Sequence, residues 1–227
     1  MSRPVGPEAE RAGRRHLPDH SSGRIIPCRQ GQDSAMTTPI SSLQMLIKEL
    51  PQGLQDHLHR TRDVALDLAR RHGVDTAKVE LAALGHDICR ALDDDALLTE
   101  ARAAGIAVHP VEERVPVLLH GHLAAHRFQR DCGVTDTEVL EAVRWHSTSC
   151  ADMGQVGLVV FLADKLDPDK AARNQLYEQL KKKAQENLEK AVADYLTAEL
   201  SSLLAQGSLL HPASVEARND LLMRAGM

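Results

Sequence analysis

The chain has 227 residues, of which 43% are hydrophobic and 26% are charged, so it is long enough to fold around one buried core. Its formal net charge of -5 gives no sign of binding to nucleic acid or to an anionic membrane, and an aromatic content of 2% argues against base-stacking platforms. No run of about 18 apolar residues occurs, which argues against a membrane-spanning helix.

The first 36 residues differ in composition from the rest of the chain. They combine several arginines with Pro, Gly and Ser and lack apolar periodicity, which is typical of disorder. Because Met36 begins a more ordinary stretch, residues 1–36 are either a disordered tail or a mis-called start. We therefore predict three parts: residues 1–36, a main domain over 37–206, and a C-terminal helix over 207–227.

From residue 41 onward, apolar residues recur at helical spacing, with turn signals between the periodic segments. The predicted helices cover 41–50, 54–72, 77–87, 93–104, 116–130, 136–146, 155–166, a long polar-rich segment over 168–206 that has room for a break, and a last helix from Pro212. Thr135 and Glu138 have the spacing of a capping box. The β-branched residues of 155–166 leave a strand as the minority alternative there. No paired period-2 strands occur, so we predict an all-α bundle.

Six polar residues lie on or beside the apolar faces of these successive helices. They are His57, His86, Asp87, His120, His146 and Asp164. An imidazole or a carboxylate is costly to bury alone, and both are good ligands for Fe, Mn, Co or Zn. Singly, each is more often an ordinary core or capping residue. Together, with one carboxylate bridging, they give two metal ions three or four protein ligands each, which is the layout of a two-metal hydrolase.

The order His, His-Asp, His, His, Asp resembles that of the HD-domain metal-dependent phosphohydrolases. Five stretches are similar to the YqeK family, namely 64–73, 84–90, 119–125, 142–148 and 161–168. YqeK proteins are bacterial symmetrical bis(5′-nucleosyl)-tetraphosphatases. The resemblance covers about residues 50–172, and it implies an HD-domain helical bundle that splits diadenosine tetraphosphate into two ADP.

The resemblance also implies roles for individual residues. The six residues above match the family's metal ligands, and the family's di-iron centre implies iron, although the same ligand set accepts Mn, Co or Zn. Asp87, as the bridging ligand, and Arg90, as a phosphate contact, are the predicted catalytic residues. Arg144 and Lys165 are further candidates for substrate phosphates, with surface ion pairs as their alternative role. Cys150 stands where the family has an arginine, so the substrate contacts can differ.

The functional hypothesis is hydrolysis of a phosphoanhydride bond by a hydroxide that two metals share. The alternatives are an HD phosphohydrolase for nucleoside mono- or triphosphates or guanosine alarmones, a metal-bound nucleotide sensor, and a di-iron oxygenase. The four cysteines include no CxxC pair, so we expect a cytoplasmic protein. The resemblance implies a nucleotide substrate, and the net charge leads us to expect neither nucleic-acid nor membrane partners. The polar face of 168–206 is predicted to be solvated, with a homodimer contact as the alternative.

Overall fold

A computed structural model describes residues 39–171 and 177–225, and within these ranges the chain is helical without any β-strand. This confirms the predicted all-α class. The helices are α1 (Pro39–Lys48), α2 (Gln52–His72), α3 (Thr76–Gly85), α4 (Asp94–Ala103), α5 (Pro110–Arg114), α6 (His120–Cys132), α7 (Thr137–Trp145), α8 (Gln155–Lys165), α9 (Pro168–Ala171), α10 (Tyr177–Glu186), α11 (Leu188–Ala205) and α12 (Pro212–Arg224). The segment 1–36, predicted as a tail or a mis-called start, lies outside the described residues.

Helix α8 is the central element of the bundle. All nine residues from 156 to 164 are buried, because α2, α3, α7 and α11 pack around this helix. The minority prediction of a strand at 155–166, which the β-branched residues suggested, is therefore wrong. A continuous apolar run fits a helix that is buried on every side as well as it fits a buried strand. None of the helices in the described part of the chain is both long and apolar enough to cross a membrane.

One other predicted helix needs correction, and a predicted break between helices is present. The segment 116–130 is not one helix: a 3-10 turn over Pro116–Leu119 precedes α6, so His120 is the first residue of a helix rather than an interior one. The long polar segment 168–206, predicted with room for a break, is interrupted at Asn187 between α10 and α11. Asn187 caps the start of α11, because its side chain accepts a hydrogen bond from the backbone N–H of Lys190 at 2.8 Å.

The predicted capping box at Thr135 and Glu138 is also wrong. Asp136 caps α7 instead, and its carboxylate accepts hydrogen bonds from the backbone N–H groups of Glu138 and Val139. The Glu138 side chain forms an ion pair with Lys78 on α3, at 2.5 Å. The Glu138 side chain thus makes a tertiary ion pair instead of the capping contact that the local pattern predicts.

The order of the helices brings four helix ends together beside α2. His86 follows the last residue of α3, His146 follows the last residue of α7, Asp164 lies in the last turn of α8, and His120 begins α6. Helix α2 contacts both α3 and α8, and it contributes His57 from its second turn. Apart from His57, the predicted metal ligands therefore lie at or beside helix ends, where backbone carbonyls are free to orient side chains.

Candidate metal centre

All six predicted ligands meet in one buried cluster. Three overlapping groups have ligand atoms within 4.8 Å of one another, and their members are His57, His86 and Asp87; His86, His146 and Asp164; and Asp87, His120 and His146. Every residue in these groups is less than 10% exposed. The structure thus brings together side chains that come from five helices or their ends.

Three of the histidines are held in the same way. The Nδ1–H of His86 donates to the carbonyl oxygen of Ala83 at 2.7 Å, that of His146 donates to Val143 at 2.8 Å, and that of His120 donates to Val117. In each pair the acceptor lies three residues earlier in the chain. Because a carbonyl oxygen only accepts, Nδ1 carries the hydrogen and Nε2 presents a lone pair to the cluster.

His57 also carries its hydrogen on Nδ1, but its partner is the side chain of Asp167, for which the sequence predicted no role. Its Nδ1–H donates to Asp167 Oδ2 at 2.6 Å. Arg60 donates from Nε to Asp167 Oδ1 at 2.7 Å and from Nη2 to Oδ2 at 3.0 Å. The two guanidinium hydrogen bonds of Arg60 and the backbone N–H of Asp169 hold the carboxylate of Asp167, which is 1% exposed. Such a carboxylate–histidine pair fixes the ring orientation and raises the basicity of the ligand nitrogen.

The pKa of Asp167 reflects this environment. Burial opposes its ionisation, but hydrogen bonds from Arg60 and His57 outweigh burial and lower the pKa to about 2. The carboxylate is therefore negatively charged at neutral pH. It can hold the His57 ring with its proton on Nδ1 and its lone pair on Nε2.

The two oxygens of Asp87 face different pairs of histidines. Oδ1 lies 2.9 Å from His120 Nε2 and 3.2 Å from His146 Nε2. Oδ2 lies 3.6 Å from His57 Nε2 and 3.7 Å from His86 Nε2. The carboxylate therefore stands between two groups of nitrogen donors, and it has one oxygen for each.

Asp164 makes the two groups unequal. Its Oδ1 lies 3.2 Å from His57 Nε2 and 3.8 Å from His86 Nε2. We call the set on this side the four-donor group and the other set the three-donor group. The four-donor group consists of His57, His86, Asp164 and Oδ2 of Asp87, and the three-donor group consists of His120, His146 and Oδ1 of Asp87.

The donor set fits metal ions. The Nε2 atoms of His120 and His146 are 2.8 Å apart, and those of His57 and His86 are 3.3 Å apart. With the hydrogen of each ring on Nδ1, these contacts bring two lone pairs face to face, which is repulsive unless a cation lies between them. Two nitrogens bound to one ion at about 2.0–2.1 Å each are separated by about 3 Å when adjacent in its coordination shell. The spacing is thus that of ligands sharing an ion.

A proton is a poor substitute for that cation. Burial lowers the pKa of His146 to about 4, and burial likewise lowers the pKa of His86. Both rings are therefore neutral at physiological pH, which is the form of imidazole that binds a metal.

The remaining predicted site residues differ in position. Lys165 is not the surface ion pair of the alternative prediction: its ammonium group is largely buried and donates to Asp164 Oδ2 at 2.7 Å and to the carbonyl oxygen of His146 at 3.2 Å. Arg90 is exposed, and its backbone N–H bonds the carbonyl oxygen of Asp87 at 2.9 Å, which keeps it beside the cluster. Arg144 is exposed on α7.

Comparison with known proteins gives a consistent picture. A protein-family model for the HD domain matches residues 54–169, a range that contains all six clustered residues. The symmetrical bis(5′-nucleosyl)-tetraphosphatases of Halalkalibacterium halodurans and Bacillus subtilis are 27% and 24% identical to this chain over 182 and 181 residues. Each match covers 80% of this chain and 96% of the relative.

One solved structure is similar over nearly its whole length. It is the crystal structure of a predicted HD superfamily hydrolase involved in NAD metabolism from Clostridium acetobutylicum. The TM-score is 0.77 at 26% sequence identity, and the match covers 82% of this chain and 97% of that chain. The helical arrangement around the cluster is therefore shared with an HD superfamily hydrolase.

Proposed function

The chain belongs to the HD-domain family of metal-dependent phosphohydrolases, and we propose that its substrate is diadenosine tetraphosphate, which it splits symmetrically into two ADP. The observation that carries this proposal is the division of the two Asp87 oxygens between two groups of buried imidazoles. The names of the relatives from Halalkalibacterium halodurans and Bacillus subtilis supply the substrate class.

The proposed ligands are the two donor groups defined above, with one divalent ion for each and Asp87 between them. Nitrogen and carboxylate donors suit iron, manganese, cobalt and zinc alike. We propose iron, as the sequence resemblance implies. Two divalent ions bring more positive charge than Asp87 and Asp164 offset, so the loaded centre attracts an anionic polyphosphate.

When bound, two divalent ions lower the pKa of a water molecule and offset negative charge on phosphoryl oxygens. The protein's part is to hold the ligands. Asp167 orients His57, and Lys165 holds Asp164 by donating a hydrogen bond to its Oδ2. Backbone carbonyls orient the other three imidazole rings. Arg90, exposed beside Asp87, is the proposed contact for a substrate phosphate, because its planar guanidinium can bind two phosphate oxygens at once.

The symmetrical outcome defines which bond breaks. The oxygen of water adds to one inner phosphorus, and the bond between that phosphorus and the central bridging oxygen breaks. The bridging oxygen leaves with the second half of the substrate, so both products are ADP. The alternative substrates are other nucleotides of HD phosphohydrolases, and Cys150, which replaces an arginine of the YqeK family, is the residue that keeps this alternative open.

Metal analysis combined with product analysis tests the proposal. Purified protein is loaded with iron, manganese, cobalt or zinc and then given dinucleoside tri-, tetra- and pentaphosphates, nucleoside triphosphates and guanosine alarmones. We expect two metal ions per chain and the release of ADP alone from diadenosine tetraphosphate. Formation of AMP with ATP, or turnover of only mononucleotides, would contradict it.

A variant of the bridging residue tests the centre itself. Asp87→Ala should lose metal and lower kcat/KM by more than the roughly 10–100-fold typical of removing an outer partner of a ligand. Asp67→Ala is the matched control, because it removes a carboxylate from α2 that is 75% exposed. An Asp87→Ala protein that keeps full metal content and activity would contradict the assignment of Asp87 as the bridging ligand.

A further inference from the structure

The hydroxyl of Ser147 lies at the three-donor group. Its Oγ is 3.3 Å from His120 Nε2 and 3.2 Å from His146 Nε2, the two nitrogens that present lone pairs there. The six clustered residues are buried, whereas Ser147 is partly exposed. A partly exposed residue thus stands beside the buried three-donor group, and we infer that a substrate approaches the group from this side.

With metal bound, the Ser147 hydroxyl cannot donate its hydrogen to either of the two imidazole rings. Once the lone pairs of His120 and His146 bind a cation, they no longer accept a hydrogen bond. The three-donor group also has one protein donor fewer than the four-donor group, so it leaves more room for oxygen atoms from outside the protein. A hydroxyl beside such a position is placed to donate to one of those oxygens.

The backbone around Ser147 fixes the position of the hydroxyl. Two residues of the loop between α7 and α8 have left-handed backbones although they are not glycine: Ser149 has a φ of 60° and Asp152 has a φ of 55°. Such conformations persist where surrounding contacts enforce them. Here the N–H of Ser149 bonds the carbonyl oxygen of Trp145 at 2.7 Å, and the N–H of Asp152 bonds Asp220 Oδ2 on α12 at 3.0 Å.

We propose that Ser147 is a substrate-contacting residue, whose hydroxyl donates a hydrogen bond to a non-bridging oxygen of the phosphoryl group held at the three-donor group. This inference rests on the proposed function for the identity of the substrate. The contact itself requires only that a phosphoryl oxygen occupies the three-donor group. It can therefore be tested with a simple phosphate as well as with the substrate.

The experiment uses the metal-loaded full chain and measures its affinity for inorganic phosphate and for ADP by calorimetry, together with its metal content. Ser147→Ala should keep both metal ions and bind phosphate about tenfold more weakly or worse, the loss expected for one hydrogen bond to a charged group. Ser147→Thr keeps the hydroxyl and should restore the affinity to within about threefold of the wild type.

Ser149→Gly is the matched control from the same loop. Its hydroxyl contacts Met153 Sδ at 3.5 Å instead of the histidines, and glycine accepts the positive φ. Unchanged phosphate binding in this variant would attribute the loss in Ser147→Ala to the hydroxyl rather than to disturbance of the loop. A similar loss in both variants would overturn the inference.

The remaining outcomes separate this inference from the proposed function. Phosphate affinity of Ser147→Ala within about twofold of the wild type overturns the contact, whatever the substrate is. Loss of metal in Ser147→Ala, or absence of phosphate and ADP binding in the loaded wild type, also overturns it. A wild type that does not hydrolyse diadenosine tetraphosphate, but binds phosphate in a Ser147-dependent way, supports the contact and contradicts the proposed substrate.

Discussion

At the scale of single residues, Asp167 shows how a donor nitrogen is prepared by a side chain that is not a ligand. Four donors converge on its two oxygens: Nδ1–H of His57, Nε and Nη2 of Arg60, and the N–H of Asp169. The carboxylate only accepts. An amide in its place must turn its NH2 group towards one of these donors, whichever way it is flipped.

Asp167→Asn should therefore weaken binding of metal by roughly 10–100-fold, because the amide loses the charge and at least one of the bonds that orient His57. Metal affinity can be measured by competition with a chelator. The control is Asp169→Asn: this carboxylate also pairs with Arg60, at 3.0 Å, but its side chain is 72% exposed and it does not orient a ligand. Equal metal affinities in the two variants would refute an orienting role for Asp167.

The sequence alone predicted the six residues of the cluster but not Asp167. The six predicted ligands follow or interrupt apolar segments, where a polar side chain is conspicuous. Asp167 lies in a short acidic stretch with Asp164 and Asp169, and periodicity does not distinguish the three. Its role depends on a contact with His57, 110 residues earlier in the chain, which only the packing of α2 against α8 creates.

At the scale of helices, the three-donor group depends on how closely α6 approaches α7. Gly121 follows the predicted ligand His120, and a Cβ atom there would lie 2.6 Å from the carbonyl oxygen of Arg144 and 3.2 Å from His146 Nδ1. Two ligand-bearing helix ends can come together because this position has no side chain.

Gly121→Ala should destabilise the fold by about 1–3 kcal/mol, the usual cost of overpacking, because α6 and α7 must move apart. It should also weaken the metal site, since the shift separates His120 from His146. Gly53→Ala is the matched control near the start of α2, because a Cβ there meets nothing within 4 Å and should stabilise the helix by up to about 1 kcal/mol. Urea unfolding gives both values, and the same sign in both variants would contradict the packing argument.

Some helix starts follow from a residue close in the sequence. Asp75 stands just before α3 and caps it through the N–H groups of Ala77 and Lys78. Glu138 could not be assigned correctly, because its partner Lys78 is distant in the sequence. The start of α6 at His120 was missed because the apolar residues 117–119 continue the pattern of the helix that follows them.

At the scale of the whole molecule, a buried carboxylate outside the candidate metal centre connects the C-terminal helix to the domain. Glu112 on α5 has its Oε1 3.2 Å from His122 Nε2 on α6 and 3.6 Å from Nε2 of His211, the residue that caps α12. Its Oε2 accepts a hydrogen bond from the backbone N–H of His109 at 2.8 Å. Burial opposes its ionisation, but these partners outweigh burial and hold the pKa of Glu112 below its ordinary value of 4.5.

Glu112 should therefore make stability depend on pH in the acid range. Because its pKa is lower in the folded chain than in the unfolded chain, the folded state binds fewer protons, and the stabilisation is complete above pH 4.5 and is lost as the pH falls towards the lowered value. Wild type should exceed Glu112→Gln in the free energy of unfolding at pH 7, and the difference should shrink below pH 4.5. Urea unfolding from pH 7 to pH 3.5 measures this difference.

Glu113→Gln is the control for that series. Its side chain is 54% exposed and pairs with Arg102 at 3.3 Å, so screening by solvent leaves it little influence on stability. A difference between wild type and Glu112→Gln that stays constant down to pH 3.5 would show that the carboxylate acts through shape alone.

The position of Asp87 between the four-donor and three-donor groups has a thermodynamic consequence. If each group takes an ion, one carboxylate belongs to both binding equilibria, so the two ions are linked through a shared ligand. An ion at one group orients Asp87 for binding at the other group, but it also repels the second ion. The balance of these two effects is a single coupling free energy. By reciprocity, each ion must change the affinity of the other by the same factor. Metal content should therefore follow a coupled two-site isotherm rather than the sum of two independent ones.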